Sequence, residues 1–194
     1  MRKNFMRAAI IFVALGSVSI QPAAASGPQK ALLCTGTKNC DQSAEGTVTW
    51  SPIAMNSFLP ADGIQADVSI PDHQLGLTVS FRRNFTVSLP ASHVIELTFK
   101  QQPANAFGGI AEIEGVAAVG DKTTPLAAVP AKVSDTVYMI GLVDAPDERR
   151  SNMAALCQSK SVGIRMKDAG GHELTLLLEE DAETNSAFHQ IFAK

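Results

Sequence analysis

Aromatic side chains are scarce in this 194-residue chain: they make up 6 % of it, with one Trp, Trp50, and one Tyr, Tyr138. A surface that stacks sugar rings needs several of them, so a carbohydrate platform is not indicated. Histidine is scarce as well, with four residues and no His-Glu-x-x-His spacing, and the three cysteines lack the paired spacing of a zinc site. Neither a Gly-x-Gly-x-x-Gly turn nor a phosphate-cradling glycine loop occurs, so no nucleotide cofactor or other cofactor is expected. Ser92 lies in Ala91-Ser92-His93, without the Gly-x-Ser-x-Gly elbow that exposes a nucleophile. Adjacent residues of a strand face opposite ways, which keeps Ser92 and His93 apart.

A long apolar run is missing too. The stretch Ala8 to Ile20 has about thirteen apolar or small residues, and a spanning helix needs roughly twenty. It follows the basic Met1-Arg2-Lys3-Asn4-Phe5-Met6-Arg7 and precedes Ala23-Ala24-Ala25, which is the pattern of a secretory signal peptide over residues 1–25, cut between Ala25 and Ser26. A periplasmic or secreted protein with no membrane span after cleavage is therefore expected. Cleavage leaves 13 basic against 19 acidic residues, a poor balance for nucleic acid.

Cys34, Cys40 and Cys157 all follow the signal and would meet an oxidising compartment. Cys34 and Cys40 bracket a short polar loop with Gly36 and are close enough to pair if the chain turns there; a bridge from either to Cys157 is the competing arrangement. Residues 26–44 are otherwise small and polar and read as a flexible N-terminal arm, with a single β-rich domain over 45–194.

Within that domain, Thr47 to Trp50 reads as a short strand, and Trp50, beside a proline-rich turn, as a lid on the core. Ile64, Ala66, Val68 and Ile70 alternate with polar residues, as do Leu75, Leu77, Val79 and Phe81, so both segments are half-buried strands. Phe85 to Leu89 is an edge strand or an extended linker. His93 to Lys100 and Ile110 to Val119 resume strand patterns, with Gly115 marking a bulge or a close backbone approach. From Val137 to Val143 both alternating faces are apolar, which predicts a central strand covered on two sides. Asp144 is placed to cap a helix over about 145–158, with Pro146 in its first turn. Ser161 to Lys167 and His172 to Glu179 form a β-hairpin, and a second helix spans about 183–193. The whole is mainly β: an antiparallel sandwich or partly closed barrel with two short helices.

Four residues are candidates for binding. Arg82 or Arg83 can sit opposite Glu96 on a neighbouring strand, or the arginines can bind an acidic ligand or partner. His93 falls in phase with the apolar face of its strand, where a ring nitrogen bonded to backbone is the simplest role. The cluster Glu179-Glu180-Asp181 with Glu183 lacks the alternating ligands of a calcium loop and reads as solvating the helix start. Cys157, on an apolar helix face, reads as buried and inert.

Leu77 to Asn84 (LTVSFRRN), Leu89 through Leu97, Gly108-Gly109-Ile110, Thr124-Pro125-Leu126-Ala127 and Lys132 through Leu142 resemble the C-terminal β-rich domain of a group of exported bacterial proteins, as does Ala187 to Phe192. In some relatives that domain follows a caspase-like peptidase region or helical repeats. The resemblance covers about residues 75–194 and implies an accessory role with no catalytic residue. The expected function is thus an exported, non-catalytic binding or accessory module of the bacterial envelope, whose partner is another envelope or secreted protein. The alternatives are a hydrolase with a dispersed site and a small-ligand carrier.

Overall fold

Two runs of strict alternation set the framework: β3 (Gly63–Ile70) and β4 (Leu75–Arg83) pair antiparallel in full register, from Gly63 opposite Arg82 to Ile70 opposite Leu75. In this computed structural model, residues 27–36, 40, 42–53, 62–100 and 108–192 are described. The signal segment and its cut at Ala25 and Ser26 lie outside them. The remaining strands are β1 (Gln29–Thr35), β2 (Gln42–Ile53), β5 (Ala91–Phe99), β6 (Ile110–Val119), β7 (Thr123–Pro125), β8 (Ala128–Lys132), β9 (Val137–Val143), β10 (Ser161–Asp168) and β11 (Glu173–Glu179). All belong to one curled antiparallel sheet, a half-barrel, in the order β7-β6-β10-β11-β1-β2-β3-β4-β5-β9-β8.

The two strands that end this sheet, β7 and β8, are separated in sequence only by Leu126 and Ala127. Leu126 N donates to Val116 O at 3.0 Å and Val143 N donates to Ala127 O at 3.0 Å, so one bent segment bridges β6 to β9 across the gap. Inward side chains of every long strand fill the interior, among them Leu33, Val48, Leu77, Ile95, Ile140, Ile164 and Leu176, all fully buried.

Both helices, α1 (Pro146–Leu156) and α2 (Ala182–Phe192), lie at one end of the barrel. Phe188 of α2 meets Trp50 at 5.6 Å and Phe81 at 5.2 Å between ring centroids, and Phe192 covers His93 at 4.3 Å. Trp50 is 1 % exposed, a core lid as its position beside the turn implied. At the opposite end the Tyr138 hydroxyl donates to Ile110 O.

Several expectations need correction. Residues 29–35 are not part of a flexible arm: β1 lies between β2 and β11, with Ala31 and Leu33 fully buried. Its polar surroundings and short length hid a strand whose partner is at the far end of the chain. β2 is correspondingly longer than Thr47 to Trp50, and Gly46 within it is needed for close approach: a Cβ there would fall 2.0 Å from Ser69 O. β9 is not central but second from one end, and only Tyr138, Ile140 and Leu142 are buried, while Val137, Met139, Gly141 and Val143 are half-buried on the outer side. Asp144 does not cap α1; Ala145 occupies that position without a side-chain bond, and Asp144 pairs with Arg149 instead. Of the two readings of Phe85 to Leu89, the edge strand is excluded: residues 84–90 form a turn-containing connection.

Other readings match. Cys34 and Cys40 are joined by a disulfide with Cα atoms 4.7 Å apart, stapling the β1–β2 connection, and Cys157 is free and buried. The register of β6 on β10 slips opposite Gly115, leaving Glu114 as the extra residue of a bulge.

Candidate functional site

The loop between β4 and β5 is built around one side chain, Asn84. Its Oδ1 accepts from Thr86 N at 2.9 Å, an Asx turn, while Nδ2 donates to Thr86 O, Leu89 O and Ala91 O at 3.2, 2.9 and 2.7 Å. Leu89 N donates to Thr86 O and Ala91 N to Leu89 O, and Asn84 N donates to Ser92 O. The polar backbone of the loop is thus largely satisfied from within, so its shape does not depend on a partner. What it presents is apolar: Phe85 is 67 % exposed, Val87 102 % and Leu89 38 %. Isolated exposed apolar residues are ordinary, but three on one ordered loop form a patch that water disfavours.

The four residues singled out from sequence are not brought together. Register places Arg82 opposite Val94, Arg83 opposite His93, and Ser80 opposite Glu96. His93 therefore points into the barrel and Glu96 out of it. The Arg82–Glu96 ion pair is not formed; Glu96 accepts from Thr98 Oγ1 at 3.3 Å. His93 is 3 % exposed, its Nε2 lies 3.4 Å from Ile191 O, and Nδ1 has no partner among the described residues. Burial lowers its pKa, against the opposing backbone bond to Ile191, so the ring is neutral at pH 7. That is the scaffold role its phase in the strand suggested.

The acidic cluster divides in two. Asp181 caps α2, accepting from Thr184 N at 2.8 Å, and also holds Gln29 Nε2 at 2.7 Å. Glu180 does not solvate the helix start as expected: it turns inward, accepts from Ser159 Oγ at 3.0 Å, and burial pushes its carboxyl up to about 7 despite the bonds from Ser159 and Asn185. Ser159 also borders an open cleft of about 600 Å³ between α1 and the β6–β7 turn, lined by Gly120, Lys122, Ser151 and Ala154 among others. Burial, and then the charge of Glu180, raise the Cys157 thiol, which keeps it protonated and unreactive.

Among the described residues no group of three or more His, Cys, Asp or Glu is arranged to hold a metal ion, and no helix is long and apolar enough to cross a membrane. Set against protein-family models, curated proteins and solved structures, the chain matches none of them.

Sequence reasoning missed Asn84 and Glu180. An Asn after two arginines, ahead of Phe-Thr-Val, is a turn signal, but nothing in it says that three carbonyls converge on its amide. Glu180 is indistinguishable by residue type from its acidic neighbours.

Proposed function

We propose that the chain is an exported, non-catalytic binding module of the bacterial envelope, and that it grips another envelope or secreted protein through the loop from Asn84 to Pro90. The observation that carries this reading is the ordered, apolar tip formed by Phe85, Val87 and Leu89. A loop already fixed in one shape loses little conformational entropy on docking, and aromatic or aliphatic knobs entering a groove supply most of the energy of an interface. An accessory role also agrees with the likeness of residues 77–84 to a domain without assigned activity. The hydrolase alternative has less support, because His93 and Glu96 face opposite sides of β5 and His93 is held by Ile191 and Phe192. The carrier alternative has less support because core side chains fill the barrel interior.

A photo-crosslinking residue placed at Val87 tests the reading in cells. One discrete adduct that disappears with Phe85→Asp, and is absent when the crosslinker sits at Asp121 on the far β6–β7 turn, is the expected result. Equal labelling at both positions, or an adduct indifferent to Phe85→Asp, overturns it.

A further inference from the structure

The hydroxyl of Ser159 has one proton and more acceptors than that proton can serve. Its Oγ lies 2.7 Å from Leu156 O, at the C-terminal end of α1, and 3.0 Å from each carboxyl oxygen of Glu180. A carbonyl oxygen can only accept, so while the Ser159 proton serves Leu156 the contact with Glu180 needs a proton from the carboxyl itself. A protonated Glu180 supplies it, and the bonds then run one way, from Glu180 to Ser159 to Leu156. An ionised Glu180 has none to give. Its contact with Ser159 is then made only if the hydroxyl swings round to donate to the carboxylate, a charge-assisted bond about twice as strong as a neutral one. Leu156 O is released in exchange.

The surroundings of Glu180 put this exchange within reach of neutral pH. From α2 the Asn185 amide donates to it, and from the end of α1 the Cys157 thiol feels its charge. Among the described residues no cation opposes the burial: the Lys160 ammonium lies 2.7 Å from Asp121, and Lys30 is held by Glu45. Of the acidic neighbours, Asp181 is engaged by Thr184 N and Gln29, and Glu179 is exposed. The carboxyl therefore titrates at about 7 and not near its ordinary 4.5.

What the hydroxyl closes is a tight turn. Gln158 N donates to Ala155 O at 3.3 Å and Ser159 N to Leu156 O at 3.4 Å, both long, so the 2.7 Å hydroxyl bond is the short one. The backbone on either side is pinned, Cys157 N to Met153 O at 2.9 Å and Lys160 N to Val119 O at 2.8 Å. Between them, Ser159 O accepts from Asn185 Nδ2 at 3.2 Å. The part free to yield is Gln158–Ser159, and these two residues, with Ser151 and Ala154 of α1, wall the cleft beside the β6–β7 turn.

We infer that Ser159 is a proton-operated latch on this wall: with Glu180 protonated the hydroxyl holds Leu156 O and the turn is closed, and with Glu180 ionised the hydroxyl turns to the carboxylate and the turn is loosened. The latch shares no residue with the Asn84–Pro90 loop and does not depend on the binding role given to it.

Hydrogen exchange at the Gln158 and Ser159 amides, divided by the intrinsic rate at each pH, tests it, with β3 amides as the reference for global opening. In the parent, protection at these two amides should fall about fivefold or more between pH 5 and pH 8, the loss of one hydrogen bond, and by more than any fall in β3. Glu180→Gln, whose amide donates to Ser159 at every pH, should keep the high protection at both. Ser159→Ala should show the low protection at both, and serves alone if Glu180→Gln fails to fold. Protection in the parent that does not change with pH overturns the proposal. So does a fall that persists in Glu180→Gln, and so does a Ser159→Ala variant protected like the parent at pH 5.

Discussion

Trp50 donates its indole Nε1–H to the carbonyl oxygen of Glu179 at 2.8 Å, tying the end of β2 to the end of β11, where α2 begins. The bond is part-buried. Trp50→Phe keeps most of the ring packing against Phe81 and Phe188 but removes the donor to that carbonyl, at a cost of about 0.5–1.5 kcal/mol. Trp50→Ala also opens a cavity and should cost about 3–5 kcal/mol. Urea unfolding followed by far-ultraviolet circular dichroism ranks the two; equal midpoints for Trp50→Phe and the parent would show that the bond contributes nothing.

Glu180 makes stability depend on pH in a stated direction. Its carboxyl is raised from the ordinary 4.5 to about 7 by burial, so the folded chain holds that proton more tightly than the unfolded one. Between those two values stability falls as pH rises, and above about 7 this contribution is constant. Glu180→Gln should abolish the slope and stabilise the protein at pH 8 by about 1–3 kcal/mol, a range that allows for the part of Glu180 still in water. The quantity to measure is the difference in unfolding free energy between variant and parent at pH 5 and pH 8. Were that difference the same at both, Glu180 would be a solvated acid.

Asn84→Ala removes four hydrogen bonds from the β4–β5 loop without touching Phe85, Val87 or Leu89. Much of the loop is exposed to water that can replace those bonds, so the expected loss is about 1–2 kcal/mol. Local order should suffer more than global stability. Hydrogen exchange at the amides of Thr86 and Leu89 is the sensitive readout, and it should speed up at least tenfold while amides in β3 stay protected.

Ile140 and Met139 are neighbours in β9 with opposite environments, the one buried and the other half-buried. Ile140→Ala should cost about 2–5 kcal/mol through the cavity it leaves, and Met139→Ala about 1 kcal/mol or less, measured in dilute solution. A Met139→Ala penalty as large as that of Ile140→Ala would mean that the outer face is covered within a single chain.

The parts of this fold legible in the sequence are those where one periodicity acts over a whole element. β3 and β4 alternate cleanly because each has one face on the core; the β10–β11 hairpin and both helices announce themselves in the same way. β1 did not, because Leu32 beside Leu33 blurs its alternation and its neighbour β11 lies at the other end of the chain. β9 is legible as a strand but its place in the sheet is not, since apolar residues on both faces look alike whether the second face meets another layer of the same chain or none. The candidate site was less legible still. The burial of His93 is legible because facing on a strand follows phase, whereas the role of Asn84 depends on three carbonyls brought round by a turn.

The pairing of β1 with β11, from Ala31 opposite Leu178 to Thr35 opposite Leu174, constrains the order of events when the chain is made. Synthesis runs from the N-terminus, so the β1–β2 hairpin emerges early and carries an open edge until Glu173–Glu179 is released. An unpaired edge is a template for mispairing with other chains. The last partner of β1 is therefore available only once Glu173–Glu179 has been made, and until then the backbone donors and acceptors along one side of Gln29–Thr35 stay open.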